Sequence, residues 1–126
     1  MRSAVATLGL LALCAQSGCA RSVEAPTTPG VCWHLVKGDT GKAKFNRLAD
    51  HQPDLEHCAA EIEKMRLEFR RIGKDETSVT GAFQGQFLFL RPEGVFTAQT
   101  LDGYQYPFMV RTGDGRLAVP GAMPRP

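Results

Sequence analysis

Apolar and polar residues fall into two rhythms along this chain. Between Pro53 and Ile72, Leu55, Cys58, Ala59, Ile62, Met65, Phe69 and Ile72 recur at helical spacing and form one stripe at 100° per residue. Pro53 suits a first helical position. Asp54 and Glu56 put negative charge near the positive end, and Arg70 and Arg71 put positive charge near the other. Gly73 supplies the stop. On either side of this helix the rhythm shortens to alternation, which predicts strands over 31–36, 43–48, 80–90, 95–101, 104–111 and 116–119. Val31–Val36 is apolar on both faces and therefore reads as an internal strand. The predicted fold is α+β: an antiparallel β-meander sheet with an N-terminal β-hairpin and one amphipathic helix packed on one face.

Turn chemistry sets the expected register. Lys37–Lys42 is a turn-rich loop joining the first two strands; it lacks the glycine spacing and the lysine-serine/threonine ending of a phosphate loop. Arg91-Pro92-Glu93-Gly94 is a turn with proline and glycine at favoured positions, Asp102-Gly103 is a two-residue hairpin signal, and Thr112–Gly115 is a further turn. These turns place Leu90 opposite Val95, Phe89 opposite Phe96, Leu101 opposite Tyr104, Thr97 opposite Phe108 and Pro107 opposite Ala98. One face then carries Phe83, Phe87, Phe89, Phe96, Ala98, Met109 and Ala118. The other carries Leu88, Leu90, Val95, Leu101, Tyr104, Tyr106, Phe108, Val110, Leu117 and Val119. Both faces are apolar and one helix covers only one of them. Curling toward a barrel, another layer or a partner must close the second.

The first residues change the picture. Met1-Arg2-Ser3 is a basic head, Ala4–Ala15 is an apolar run, and small residues follow. That is the layout of a secretory signal, and the run is shorter than the roughly 20 residues that span a bilayer. Ser17-Gly18-Cys19 resembles the end of a bacterial lipobox, with Gln16 standing where that motif usually has an apolar residue. The resemblance implies lipidation of Cys19, and the absence of aspartate at Ala20 points to the outer membrane. Cleavage after Ala20, giving a soluble periplasmic or secreted protein, is the alternative. The expected organisation is a signal or lipobox-like segment over 1–19, a linker over 20–30, a single domain over 31–120 and a tail over 121–126.

Four cysteines are present. Cys14 leaves with the leader and Cys19 is lipidated or removed, so Cys32 and Cys58 remain as the pair expected to bridge in an oxidising compartment. Closing a loop of about 26 residues stabilises by about 3–4 kcal/mol in the chain-entropy model. Charge excludes more than it suggests. With 15 basic and 13 acidic residues mixed along the chain, no basic stripe argues for nucleic acid.

Candidate chemistry is sparse. Asp54, His57 and Glu61 share one helix side at spacings of three and four, a spacing able to surround a metal; the competing role is a solvated flank with dipole-favoured acids. His34 lies between Cys32 and Val36 on an apolar face, either as a general base beside an acidic loop residue such as Asp39 or as a hydrogen-bonded core histidine. A disulfide leaves no thiolate nucleophile, and no serine sits in a Gly-x-Ser-x-Gly setting. No catalytic residue, cofactor site or metal site is assigned. Trp33 suits a core, whereas Tyr104, Tyr106 and Phe108 define the expected binding surface. The resulting expectation is a small exported envelope lipoprotein acting as a non-catalytic binding or structural module, anchored through its lipid and partnered by a protein or envelope component. The alternative is a small periplasmic enzyme or metal-binding protein using His34 or the Asp54, His57 and Glu61 flank. Small lysozyme-inhibitor lipoproteins are similar in size, leader and β-content, which implies a binding role; the central helix departs from their all-β pattern.

Overall fold

The computed structural model describes residues 23–74 and 77–120. Strand β1 (Cys32–Lys37) and strand β2 (Ala43–Ala49) form the N-terminal hairpin, and helix α1 spans Leu55–Arg71. Strands β3 (Val79–Phe83), β4 (Gln86–Arg91), β5 (Gly94–Ala98), β6 (Tyr106–Arg111) and the two-residue β7 (Leu117–Ala118) follow. All pairings are antiparallel in one seven-stranded sheet of order β2-β1-β3-β4-β5-β6-β7. The fold is α+β, with one helix against an antiparallel sheet. Strands β2 and β3 flank β1 and run parallel to each other, because each is antiparallel to it. A connection between parallel strands has to cross a sheet face, and α1 makes that crossing over β1 to β4.

The helix is closed chemically at both ends. Asp54 is its N-cap and accepts the backbone N–H of His57 at 2.8 Å, so Pro53 lies one residue before the cap. At the other end Ile72 is the C-cap and Gly73 takes φ +83°. The Lys74 N–H reaches the Phe69 carbonyl at 2.9 Å and the Gly73 N–H reaches the Arg70 carbonyl at 3.1 Å. That is the paired C-terminal bonding of a Schellman motif. Ile72, at the C-cap, stays 55% exposed and does not join the apolar stripe.

Two constraints seat α1. A disulfide joins Cys32 to Cys58 with Cα atoms 5.3 Å apart, and both cysteines are fully buried. It fixes the start of β1 beneath the first turns of the helix. One row further, Gly81 in β3 faces Ile62. A Cβ on Gly81 would collide with Ile62 Cδ1 and come within 2.8 Å of the Trp33 carbonyl oxygen. The missing side chain lets the helix approach the sheet this closely. Around that contact Cys58, Ala59, Ile62, Val79, Phe83, Leu88, Leu90, Val95 and Met109 make the core between helix and sheet.

Three expectations about the sheet are corrected. The stretch 80–90 is two strands, turned at Gln84-Gly85, which have φ of 44° and 84°. Positive φ at both central residues is the type I′ requirement for a two-residue hairpin. Phe83 consequently faces the helix while Phe87 faces away, although alternation along one strand puts them together. The Arg91–Gly94 turn has the expected register, Leu90 to Val95 and Phe89 to Phe96. The next connection does not: no tight turn forms at Asp102-Gly103, and a wider loop over 99–105 pairs Thr97 with Tyr106 and Phe96 with Pro107. A β-bulge then pairs Val95 with Met109 and leaves Phe108 as the extra residue. Phe108 and Met109 both turn to the helix side as a result.

The second face is covered by the chain itself. Strands β2 and β4 are three strand spacings apart, about 14 Å in a flat sheet, yet the Phe45 and Phe87 rings lie 6.4 Å apart. The sheet curls around this face. Ala82, Phe87, Phe89 and Ala98 are buried there, with Trp33, Leu35, Phe45, Phe96 and Leu101 packed around them. Val23 and Ala25 close the remainder: Ala25 is buried, the Gly85 N–H donates to the Pro26 carbonyl at 2.9 Å, and the Gly30 N–H donates to Gln84 Oε1 at 2.9 Å. The described part of the expected linker, residues 23–30, is therefore docked and extends the domain. The expected tail over 121–126 lies outside the described residues.

Replacing Gly81 with alanine forces Ile62 out of its seat. The substitution should destabilise the domain by about 1–3 kcal/mol, the usual cost of overpacking, read as a lower urea midpoint with unchanged m-value. An unchanged midpoint would show that the helix has room to spare.

Candidate functional site

The loop between β5 and β6 builds the most exposed aromatic feature among the described residues. Leu101 tucks into the second core and anchors the loop from below. Gln105 is held by Arg91, whose guanidinium donates to its Oε1 and lies over the Phe96 ring at 5.1 Å and the Phe89 ring at 6.0 Å. Tyr104, between these anchors, and Tyr106, the first residue of β6, stand out of the surface, 73% and 61% exposed. Their rings meet edge to face, with centroids 4.7 Å apart and planes at 68°. Such pairing stabilises two rings relative to each other by about 0.5–1.5 kcal/mol and holds them in one orientation.

The two rings border an open groove of about 390 Å³ whose other walls include Gln86, Thr97, Gln99 and Thr100. A second trough of about 540 Å³ continues from it, sharing Gln86, Gln99 and Thr100 and running beside the docked segment at Val23–Ala25. Among the described residues, the first groove has no carboxylate or basic side chain in its lining, and the second has only Glu24. The strand carrying Tyr106 is also a sheet edge at this point, because β7 pairs only with Val110 and Arg111. Pro107 removes a backbone donor there, one of the ways natural sheets blunt an open edge.

The expected surface of Tyr104, Tyr106 and Phe108 is thus reduced to two residues. The bulge turns Phe108 inward, where it is half-buried against the core beneath the helix with Leu117 and Val119. Gln86 and Gln99, which alternation alone reads as ordinary strand positions, take its place in the groove. Trp33 belongs to the second core, with Arg47 stacked over its ring at 5.5 Å. Its Nε1 is buried without an acceptor among the described residues, a cost of about 1–3 kcal/mol.

The polar candidates serve the fold. Asp54 Oδ1 accepts from the His57 backbone N–H and lies 2.6 Å from His57 Nδ1. The backbone bond and then the side-chain bond hold the Asp54 carboxyl below its ordinary range. Glu61 pairs instead with Lys64 at 3.5 Å. Among the described residues no three His, Cys, Asp or Glu groups are arranged to hold a metal ion. His34 lies on the helix side of β1, its ring 6.0 Å from that of Phe69.

One charged cluster was not foreseen. Glu63 and Arg66 are each only 3% exposed, inside the interface between helix and sheet. Glu63 receives a two-pronged bond from Arg66, at 2.9 and 2.8 Å, and another from Arg111 at the end of β6, at 2.8 and 3.0 Å. Arg111 also donates to the backbone carbonyls of Arg91 and Pro92, the latter at 3.0 Å. The cluster therefore ties α1 to β6 and to the β4–β5 turn. Burial pushes the Glu63 carboxyl up, but the bonds from Arg66 and Arg111 outweigh it and hold the group below its ordinary range. On a helical projection Arg66 falls between Ala59 and Ile62, inside the apolar stripe. An arginine there with a glutamate three residues earlier was the available signal.

No family model matches this chain, and neither a curated protein nor a solved structure matches it. The signal-peptide, lipoprotein, periplasmic and outer-membrane reading is accordingly corrected. Residues 1–22, Cys19 among them, lie outside the described residues. No helix of the described residues is long and apolar enough to cross a membrane, and no similar protein supplies a leader, an anchor or a location. The resemblance to lysozyme-inhibitor lipoproteins likewise finds no match.

The Glu63 cluster makes stability pH-dependent with a defined sign. Its folded carboxyl is held below the unfolded value of about 4.3. The stabilisation it supplies is present above that value and is lost as pH falls through the lower, folded one. At pH 7 Glu63→Gln should cost about 3–5 kcal/mol, because two arginines lose their buried counter-charge. In urea titrations that gap should narrow as pH drops toward 3; a gap independent of pH would remove Glu63 from the account.

Proposed function

We propose that this protein is a small non-catalytic binding module whose recognition surface is the Tyr104–Tyr106 groove. The carrying observation is the exposed aromatic pair itself. Elsewhere the described chain folds its rings inward: Phe83, Phe87 and Phe89 are buried, and Phe45 and Phe96 pack beside them. The tyrosines remain outside, Tyr104 on a loop pinned by Leu101 and by the contact between Arg91 and Gln105 and Tyr106 at the start of β6. A ring pair held in one orientation loses little freedom when a ligand settles on it, which favours binding. Tyrosine combines a broad apolar face with a hydroxyl that stays wet, a pairing suited to interfaces.

The rest of the molecule is a rigid support for that surface. Glu63 is paired with both Arg66 and Arg111 between helix and sheet, and Asp54 caps the helix. The Cys32–Cys58 bridge supports a working place in an oxidising compartment, where such bonds persist.

The test compares the full chain with a Tyr104→Ala/Tyr106→Ala double variant, both immobilised and offered an extract of the producing cells. The expected result is a component retained by the parent and lost by the variant, with the variant still folding cooperatively and melting no more than about 10 °C below the parent. Retention that is indifferent to the two tyrosines would place the binding surface elsewhere.

A further inference from the structure

We propose that the groove and its continuing trough bind a neutral polyhydroxylated ligand, a stretch of uncharged glycan chain; this rests on the reading of the tyrosine groove as the recognition surface. The lining carries the argument. Gln86, Gln99, Thr97 and Thr100 stand around the two tyrosines, in a chain of which 22% is charged. A glutamine amide offers donors and acceptors in one plane, and a threonine hydroxyl does both. Sugar hydroxyls also donate and accept, so they can exchange bonds with each of these groups. The C–H face of a sugar ring is apolar and matches the face of a tyrosine.

Charge selects the class further. Phosphate, sulfate and nucleic-acid backbones are recognised through arginine and lysine, and among the described residues no such residue lines either recess. Glu24, the one carboxylate among the described lining residues, would repel them. A proline-rich peptide would require apolar slots between aromatic walls. Here the rings meet edge to face and the groove offers Ala98 as its one aliphatic side chain. Shape agrees with a chain more than a small molecule. The groove and the trough share Gln86, Gln99 and Thr100, so a ligand longer than one ring can run from the tyrosines toward the docked segment at Thr27.

The experiment places the full chain on an array of neutral, sulfated and phosphorylated oligosaccharides, then titrates a retained neutral hexasaccharide by calorimetry. A proline-rich decapeptide is titrated separately. Retention should be confined to neutral chains. Tyr104→Ala and Gln99→Ala, both at exposed positions, should each weaken the titrated hexasaccharide about tenfold while the protein still folds cooperatively at the titration temperature. An array on which no neutral glycan is retained overturns the inference, as does retention only of charged glycans. Neutral binding indifferent to both variants overturns the site. Decapeptide binding that needs Tyr104, with no glycan retained, overturns the ligand class and leaves the tyrosine groove as the binding surface; loss of tyrosine-dependent capture from extract would remove the surface itself.

Discussion

A sheet with two apolar faces and a single helix must hide both, and that constraint governs the whole molecule. The helix covers the face of β1 to β4 and is held there by three features that act at different points. The disulfide fixes its first turns, the bare backbone of Gly81 admits Ile62 at its middle, and the Glu63 cluster ties its outer flank to β6. The other face receives no helix. It closes because the sheet curls enough to bring Phe45 against Phe87, and because residues 23–26 fold back across the β3–β4 turn.

These two solutions together position the candidate site. Curling gathers the second core around Phe87 and Phe89, and the loop over 99–105 is drawn down onto that core through Leu101. With the loop fixed below, its upper residues cannot retreat, and Tyr104 and Tyr106 are presented outward as a braced pair. The bulge at Phe108 completes the arrangement by returning the edge strand to the helix side. This arrangement leaves only two large hydrophobic rings, Tyr104 and Tyr106, largely exposed among the described residues.

Much of the architecture was legible in the pattern of residues, and the failures have physical causes. Helix α1 was readable because its stripe, its end charges and Gly73 agree. The cysteine pairing follows from Cys58 lying in that stripe. Gln84-Gly85 was missed because alternation continues across Phe83, Gln84, Gly85, Gln86 and Phe87 without a polar break. The type I′ turn pairs Phe83 with Gln86, so two residues of opposite parity share a face and the alternation after the turn is reversed. The bulge at Phe108 shifted the register again, and it rests on the packing of Phe108 and Met109 against the core, which local sequence does not encode. Glu63 and Arg66 were not singled out because a buried charge is identified by its partner, and Arg111 lies 48 residues from Glu63. The exposure of Tyr104 and Tyr106 agrees with the amphipathic nature of the ring, whereas the glutamines beside them came into view only with the register that sets the ends of β4, β5 and β6 side by side.

The central claim is that the chain covers both faces of its sheet by itself and leaves the tyrosine pair as its open aromatic surface. Hydroxyl-radical footprinting of the native protein, read residue by residue by mass spectrometry, tests this directly. Tyr104 and Tyr106 should be oxidised rapidly while Phe83, Phe87 and Phe89 remain protected. Labelling of Phe87 and Phe89 at a rate comparable with the tyrosines would mean that the second face is open in solution, and would contradict the account.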